Sequence, residues 1–341
     1  MWQVDNQTPY EVKGSWIRNR QGEEVRITVL KATWDIFPDG TTALSTRQSP
    51  VNTGPVLQDD GKTLLYDTDC GPAKSATDIV LNGHAYSPDG KAVRNLPIGL
   101  KVGSVIRLAR VYGERQWDGK QYNPPSLFTR TQLSYDKMNR GEFFSFYASH
   151  YNPDGIPVDA VPETEIPALP QIEFYGDETT PGFGVQPRYW PGRMQFAGTY
   201  DDNWRKYRAP LPPDNMDERY WQSAPAPLYA GGWLNGGETV CLGNLTPPGY
   251  GQHGLLVFTL PRIIPAFRTL FYDGSVRRHR AKLHTVIIEP DFPRVSLVWH
   301  SALPCHRLVN QLESTTIYEK RRLFVREKAL PGNFPEWETL L

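Results

Sequence analysis

Phe271-Tyr272-Asp273-Gly274-Ser275-Val276 is a hairpin turn written into the sequence. Asp and Gly tolerate the positive φ that tight antiparallel turns demand, and apolar residues flank the pair on both sides. The surrounding segments read as strands. Residues 283–289 (Leu-His-Thr-Val-Ile-Ile-Glu) and 315–318 (Thr-Thr-Ile-Tyr) are rich in β-branched side chains. Val295, Leu297 and Trp299 alternate with Arg294, Ser296 and Val298. Val25, Ile27 and Val29 alternate with Arg26, Thr28 and Leu30, the period of a strand with one apolar and one mixed face. Asp-Gly recurs at 39–40, 60–61, 89–90, 118–119 and 154–155. Repeated between apolar runs, it predicts many short antiparallel strands.

Glycine and proline, 29 and 31 of 341 residues, make about 18% of the chain, against a usual level of about 12%. Proline is densest from Tyr151 to Gly192, where Pro153, Pro157, Pro162, Pro167, Pro170, Pro181, Pro187 and Pro191 exclude a central strand or a helix. This stretch reads as an extended crossing, strapped down through Phe174, Tyr175 and Phe183. The expected fold is mainly β: two antiparallel β-sandwich-like halves, 1–150 and 193–328, joined by the proline-rich segment 151–192, with a tail at 329–341. Helical signal is thin. Asp201 to Lys206 reads as one turn. Asp214 to Trp221 reads as two, with Asp214 as N-cap and Met216 and Tyr220 on one face.

Charge is balanced, with 37 basic and 37 acidic residues, so neither nucleic acid nor an anionic membrane is an expected partner. The balance is uneven along the chain. From Arg262 to Lys328 thirteen basic residues face six acidic ones. The densest point is Arg277-Arg278-His279-Arg280-Ala281-Lys282, readable either as a solvated strand face or as a docking face for an acidic partner. Cys70, Cys241 and Cys305 are odd in number and far apart, which points to a reducing compartment. The first residues, Met-Trp-Gln-Val-Asp-Asn-Gln, carry no secretory pattern, so a cytoplasmic location is expected.

No phosphate-binding loop, nucleophile elbow, His-Glu-x-x-His or Cys-x-x-Cys pattern is present. His279, His284, His300, Cys305 and His306 supply zinc-ligand types at spacings that match no familiar site. Histidines on strands more often sit in hydrogen-bonded pairs, so no metal or other cofactor is expected. Asp201, Asp202, Asp214, Asp217 and Glu218, beside Tyr200, Trp204 and Trp221, have the composition of a glycoside-processing site. Helix capping explains the same acids without a catalytic role. No catalytic residue is assigned. Exposed Trp, Tyr and Arg are also the residues of contact hot spots. The candidate interface residues are therefore Tyr200, Trp204, Tyr220 and Trp221, with Arg277, Arg278 and Arg280.

A set of short words, in order, resembles a bacterial family long labelled only by unknown function. They are Lys31-Ala-Thr-Trp34 with Asp39-Gly40, Asp69-Cys-Gly-Pro-Ala-Lys74, Thr77-Asp78, Asn82-Gly83-His84-Ala85, Pro88-Asp-Gly90, Val102-Gly103 and residues 111–117 (Val-Tyr-Gly-Glu-Arg-Gln-Trp). They continue through Pro181-Gly-Phe-Gly184, Arg193, Ala197-Gly-Thr-Tyr-Asp201, Trp204, Pro210-Leu-Pro212, Ala224-Pro225, Gly236, Glu238, Leu245 and Gly249. Genes of that family sit beside type VI secretion spike genes. The resemblance implies a free-standing, non-enzymatic adaptor or chaperone that loads a secreted effector onto the VgrG–PAAR spike. It carries no catalytic residues over. The alternative from the Asp/Trp cluster is a carbohydrate-binding or carbohydrate-hydrolysing β-sandwich.

Overall fold

The computed structural model describes residues 2–59, 61, 63–115, 123–133, 171–175, 182–305 and 308–320. Among these, the first strands are β1 (Gln3–Asn6), β2 (Glu11–Arg18), β3 (Glu24–Ile36), β4 (Thr42–Leu44), β5 (Val56–Leu57), β6 (Leu64–Tyr66) and β7 (Asp78–Leu81). Then come β8 (His84–Tyr86), β9 (Asn95–Val102), β10 (Val105–Tyr112), β11 (Arg130–Gln132), β12 (Ile172–Phe174), β13 (Thr239–Gly243) and β14 (Leu255–Thr259). The last are β15 (Pro265–Phe271), β16 (Val276–Arg280), β17 (Lys282–Glu289), β18 (Arg294–Pro304) and β19 (Leu312–Glu319). The α-helices are two short ones, Pro191–Met194 and Asp202–Tyr207. The chain is mainly β, in several sheets with no closed barrel, as its turn-rich sequence predicts.

One sheet runs β2-β3-β18-β17-β7, with β4 also on β3; a second runs β12-β10-β9-β13-β14; a third runs β1-β19-β15-β16. Pairings are antiparallel except β1 with β19 and β7 with β17. The first two sheets pack on one core. Leu30, Ala32, Trp34, Val295, Leu297 and Trp299 meet Ile98, Leu100, Val240, Leu242 and Phe258, and Phe267 and Ile317 of the third sheet join them. Each Val, Leu, Ile or Phe among them contributes about 1.5–3 kcal/mol by leaving water.

Period-2 reading of β3 gives one apolar and one mixed face. In the structure both faces are covered. Leu30 and Ala32 turn to the second sheet, while Ile27 and Val29 pack with Ile287 and Val298 under Val51, Tyr66 and Cys70. A strand buried on both sides needs apolar residues at both parities, so alternation fades along its length.

Both larger sheets take strands from before and after the proline-rich segment, since β3 pairs β18 and β9 pairs β13. The described parts of stretches 1–150 and 193–328 thus share both sheets. Most of 151–192, and the tail 329–341, lie outside the described residues. The described part of the crossing adds β12 at a sheet edge, where missing proline N–H groups do least harm. Phe183, expected as a surface strap, is fully buried, its ring 5.3 Å from that of Phe174.

Candidate docking surface

The β15–β16 hairpin turns at Asp273-Gly274. Asp273 Oδ1 accepts from Ser275 N at 2.8 Å, and Gly274 has φ +79°. Register sets Ala266 opposite Arg280, Phe267 opposite His279, Arg268 opposite Arg278 and Thr269 opposite Arg277. Strand alternation therefore splits the basic run between two faces. On the inner face the Arg277 guanidinium lies 5.3 Å over the Phe271 ring and donates to Pro304 O at 3.4 Å. His279 stacks on Phe267 and bonds Thr269 Oγ1 at 2.9 Å and Ser301 Oγ at 2.5 Å. Burial pushes the His279 pKa down to about 4, so it is neutral at pH 7. Arg278 and Arg280 stand on the outer face with Arg268, and all three are exposed. None of these three guanidinium groups has an ion-pair or hydrogen-bond partner among the described residues.

The Phe196–Pro225 stretch folds on a small core of its own. Ala197, Met216 and Tyr220 are buried, with Met194, Phe196, Tyr200 and Trp221 packed around them. Asp201 caps helix Asp202–Tyr207, its Oδ1 accepting from Trp204 N at 2.8 Å. The second turn is shorter than expected. It is the 3₁₀ segment Glu218–Trp221, and its cap is Asp217, not Asp214. The cause is Asn215, whose side chain bonds Thr199 N and Thr199 Oγ1 and so holds 214–216 out of a helix. Gly198 closes the same loop at φ +80°, where a Cβ would lie 2.9 Å from both Asn215 Oδ1 and Pro213 Cβ.

The acids here have local partners. Asp202 pairs with Arg205 at 2.9 Å, Asp214 with Arg208 at 3.1 Å and Asp217 with Arg219 at 2.7 Å, and Glu218 is exposed. The Arg219 bond holds the Asp217 carboxyl below its usual pKa. Tyr220 is interior, at 4% exposure. Tyr200, Trp204 and Trp221 are half-buried; the first two rings meet edge-on at 4.7 Å, and Trp204 Nε1 donates to Leu211 O. The most exposed large hydrophobic side chain here is Tyr207, at 75% exposure. Sequence reading gave no reason to single it out, because a terminal helical tyrosine looks the same whether packed or free.

The chain also holds a buried polar clasp. Asp78 is fully buried and accepts from Lys74 Nζ at 2.6 Å, Gln222 Nε2 at 2.8 Å, and Ser223 N and Oγ at 2.7 and 3.0 Å. Thr77 Oγ1 donates to Leu283 O at 2.6 Å. Arg193, also fully buried, binds Asp67 Oδ2 at 3.0 Å, with Arg188 on the other oxygen at 3.2 Å. Burial pushes the Asp67 pKa up, but the two guanidinium groups outweigh it and bring it down to about 2. Several residues of the resemblance words (Lys74, Thr77-Asp78, Arg193) thus form the clasp, which ties loop 67–78 to β17 and to residues 186–223.

The zinc-ligand types are arranged differently from a ligand set. A β-bulge between Leu283 and Thr285 re-aims His284, whose ring stacks on His300 at 4.2 Å and 8°. Trp233 stacks on the other side at 5.2 Å. Parallel rings point their nitrogens side by side and not at a common centre. His300 Nε2 bonds Gly71 O at 3.0 Å, and Cys305 Sγ donates to Glu24 O. His306 lies outside the described residues. No group of three or more His, Cys, Asp or Glu side chains is placed to hold a metal ion among the described residues, and no helix there is long and apolar enough to cross a membrane.

No curated protein and no solved structure matches this chain. A family model does match, over residues 21–300, which takes in the clasp, the stretch 196–225 and the β15–β16 hairpin. The chain belongs to that bacterial family, described as "Uncharacterized protein conserved in bacteria (DUF2169)".

Proposed function

We propose that this protein is a non-enzymatic, cytoplasmic adaptor that binds a type VI secretion effector and loads it onto the VgrG–PAAR spike. The observation that carries the reading is the outer face of β15–β16, where Arg268, Arg278 and Arg280 stand exposed with no ion-pair partner among the described residues. Uncompensated arginines serve recognition better than stability. The ordered words of the sequence, read as a resemblance, give that surface its specific partners. The half-buried Tyr200, Trp204 and Trp221, with Tyr207, supply a second, aromatic surface of the kind that anchors protein contacts. The acids once readable as a catalytic pair have caps and ion pairs as their local roles, which leaves contact as the better-supported use of this stretch. The test is pull-down of effector and spike by the tagged chain after Arg268, Arg278 and Arg280 are replaced with alanine. Loss of either partner supports the basic face as a contact; undiminished recovery of both removes it.

A further inference from the structure

We infer that the outer face of the β15–β16 hairpin reads carboxylates, and that it binds an extended acidic segment of a protein partner laid along the strands. The inference takes from the adaptor reading only that the partner is a protein. Arg268 and Arg278 are direct register partners on one exposed face, and Arg280 follows two residues on along β16. Directly opposed residues sit about 4.5–5.5 Å apart at Cα, so the like charges repel. Neither guanidinium has an ion-pair or hydrogen-bond partner among the described residues. The row continues across the sheet through Thr316 to Asp5, whose Oδ2 already accepts from Gln7 Nε2 at 2.9 Å.

Arginine forks bind carboxylates through two parallel hydrogen bonds, which a lysine cannot do. Arg278 and Arg280 lie about 6.8 Å apart along the strand, the spacing of alternate side chains in an extended peptide. Beside the arginines, Leu270 and Val276 form an apolar pair on the same face. The ligand is therefore a strand-like segment with acids at alternate positions. Its partner is a protein and not a nucleic acid, because the chain is neutral overall and lacks a long basic track.

The test uses the purified full chain and a fluorescein-labelled peptide of alternating Glu and Thr, with anisotropy as readout. The peptide should bind, weaken with added salt, and lose at least tenfold affinity with Arg268→Gln/Arg278→Gln. It should bind normally to a charge-matched control, Arg47→Gln/Lys91→Gln. Arg278→Glu should abolish binding while raising the melting temperature, which separates lost recognition from lost folding. Absence of binding to the parent, equal binding of a Gln/Thr peptide, equal binding by the folded double variant, or tighter binding of an oligothymidine of equal charge would each overturn the proposal. No effector or spike is present in this assay, so its failure leaves the adaptor reading standing.

Discussion

Arg268 on β15 and Arg278 on β16 are paired across the hairpin on its exposed face, with no carboxylate bonded to either among the described residues. A fold selected for stability alone places opposite charges at such a pair, which is worth roughly 0.2–1 kcal/mol. The reverse arrangement is the observation on which the docking proposal rests.

Arg278→Glu tests the energetic half of that statement. Cross-strand attraction replaces repulsion, so stability should rise by about 0.5 kcal/mol. Urea unfolding followed by tryptophan fluorescence checks it. An unchanged or lowered midpoint means that Arg278 already has a favourable environment.

Asp78 is the opposite case, a charge whose removal harms the fold. It is fully buried and satisfies Lys74, Gln222 and Ser223 together. Asp78→Ala should cost about 3–5 kcal/mol, because Lys74 is left with an unmatched charge next to the core. Chemical denaturation of the variant measures this. A loss below about 1 kcal/mol would show that the clasp does not hold loop 67–78 to the 186–223 segment.

Acid should loosen the molecule through the stacked histidines. Burial holds His284 well below its usual pKa and brings His300 down to about 4, with Lys74 adding to both shifts. Each binds its proton more weakly folded than unfolded, so the unfolded state takes up more protons below pH 6.5. Stability is therefore full above that pH and falls as pH drops toward 4, with a slope of up to about 1.4 kcal/mol per unit for each ring. Asp67 adds a further loss only between its unfolded value near 4 and its folded value of about 2. Thermal melts at pH 7.5, 6.0 and 5.0 should show the decline, and His300→Gln should lessen it while His284 and His279 keep the remainder.

Much of this was legible in the sequence. Hairpin chemistry at Asp273-Gly274, period-2 strands and scarce helix signal led to a mainly β chain, and capping rules gave Asp201 its role. Register was not legible. A two-residue turn at Asp273-Gly274 would set Arg268 opposite His279. The real turn takes Tyr272 as well, with Gly274 at positive φ, and moves Arg268 opposite Arg278. The arginine pair was hidden behind one residue of slip. The clasp was invisible for a different reason: Asp67 and Arg193, or Asp78 and Gln222, are far apart in sequence, and no local pattern announces a buried ion pair. The His284–His300 stack depends on a bulge, which alternation alone does not foresee.

The central claim is that this chain joins an effector to a spike. Size-exclusion chromatography of the purified chain with a type VI effector and a VgrG–PAAR spike from the same organism tests that most directly. The account expects one co-eluting complex of all three, and no effector–spike complex when the chain is left out or carries Arg268→Gln/Arg278→Gln. Separate elution of the chain from both proteins, or an effector–spike complex that forms equally well without it, would contradict the account.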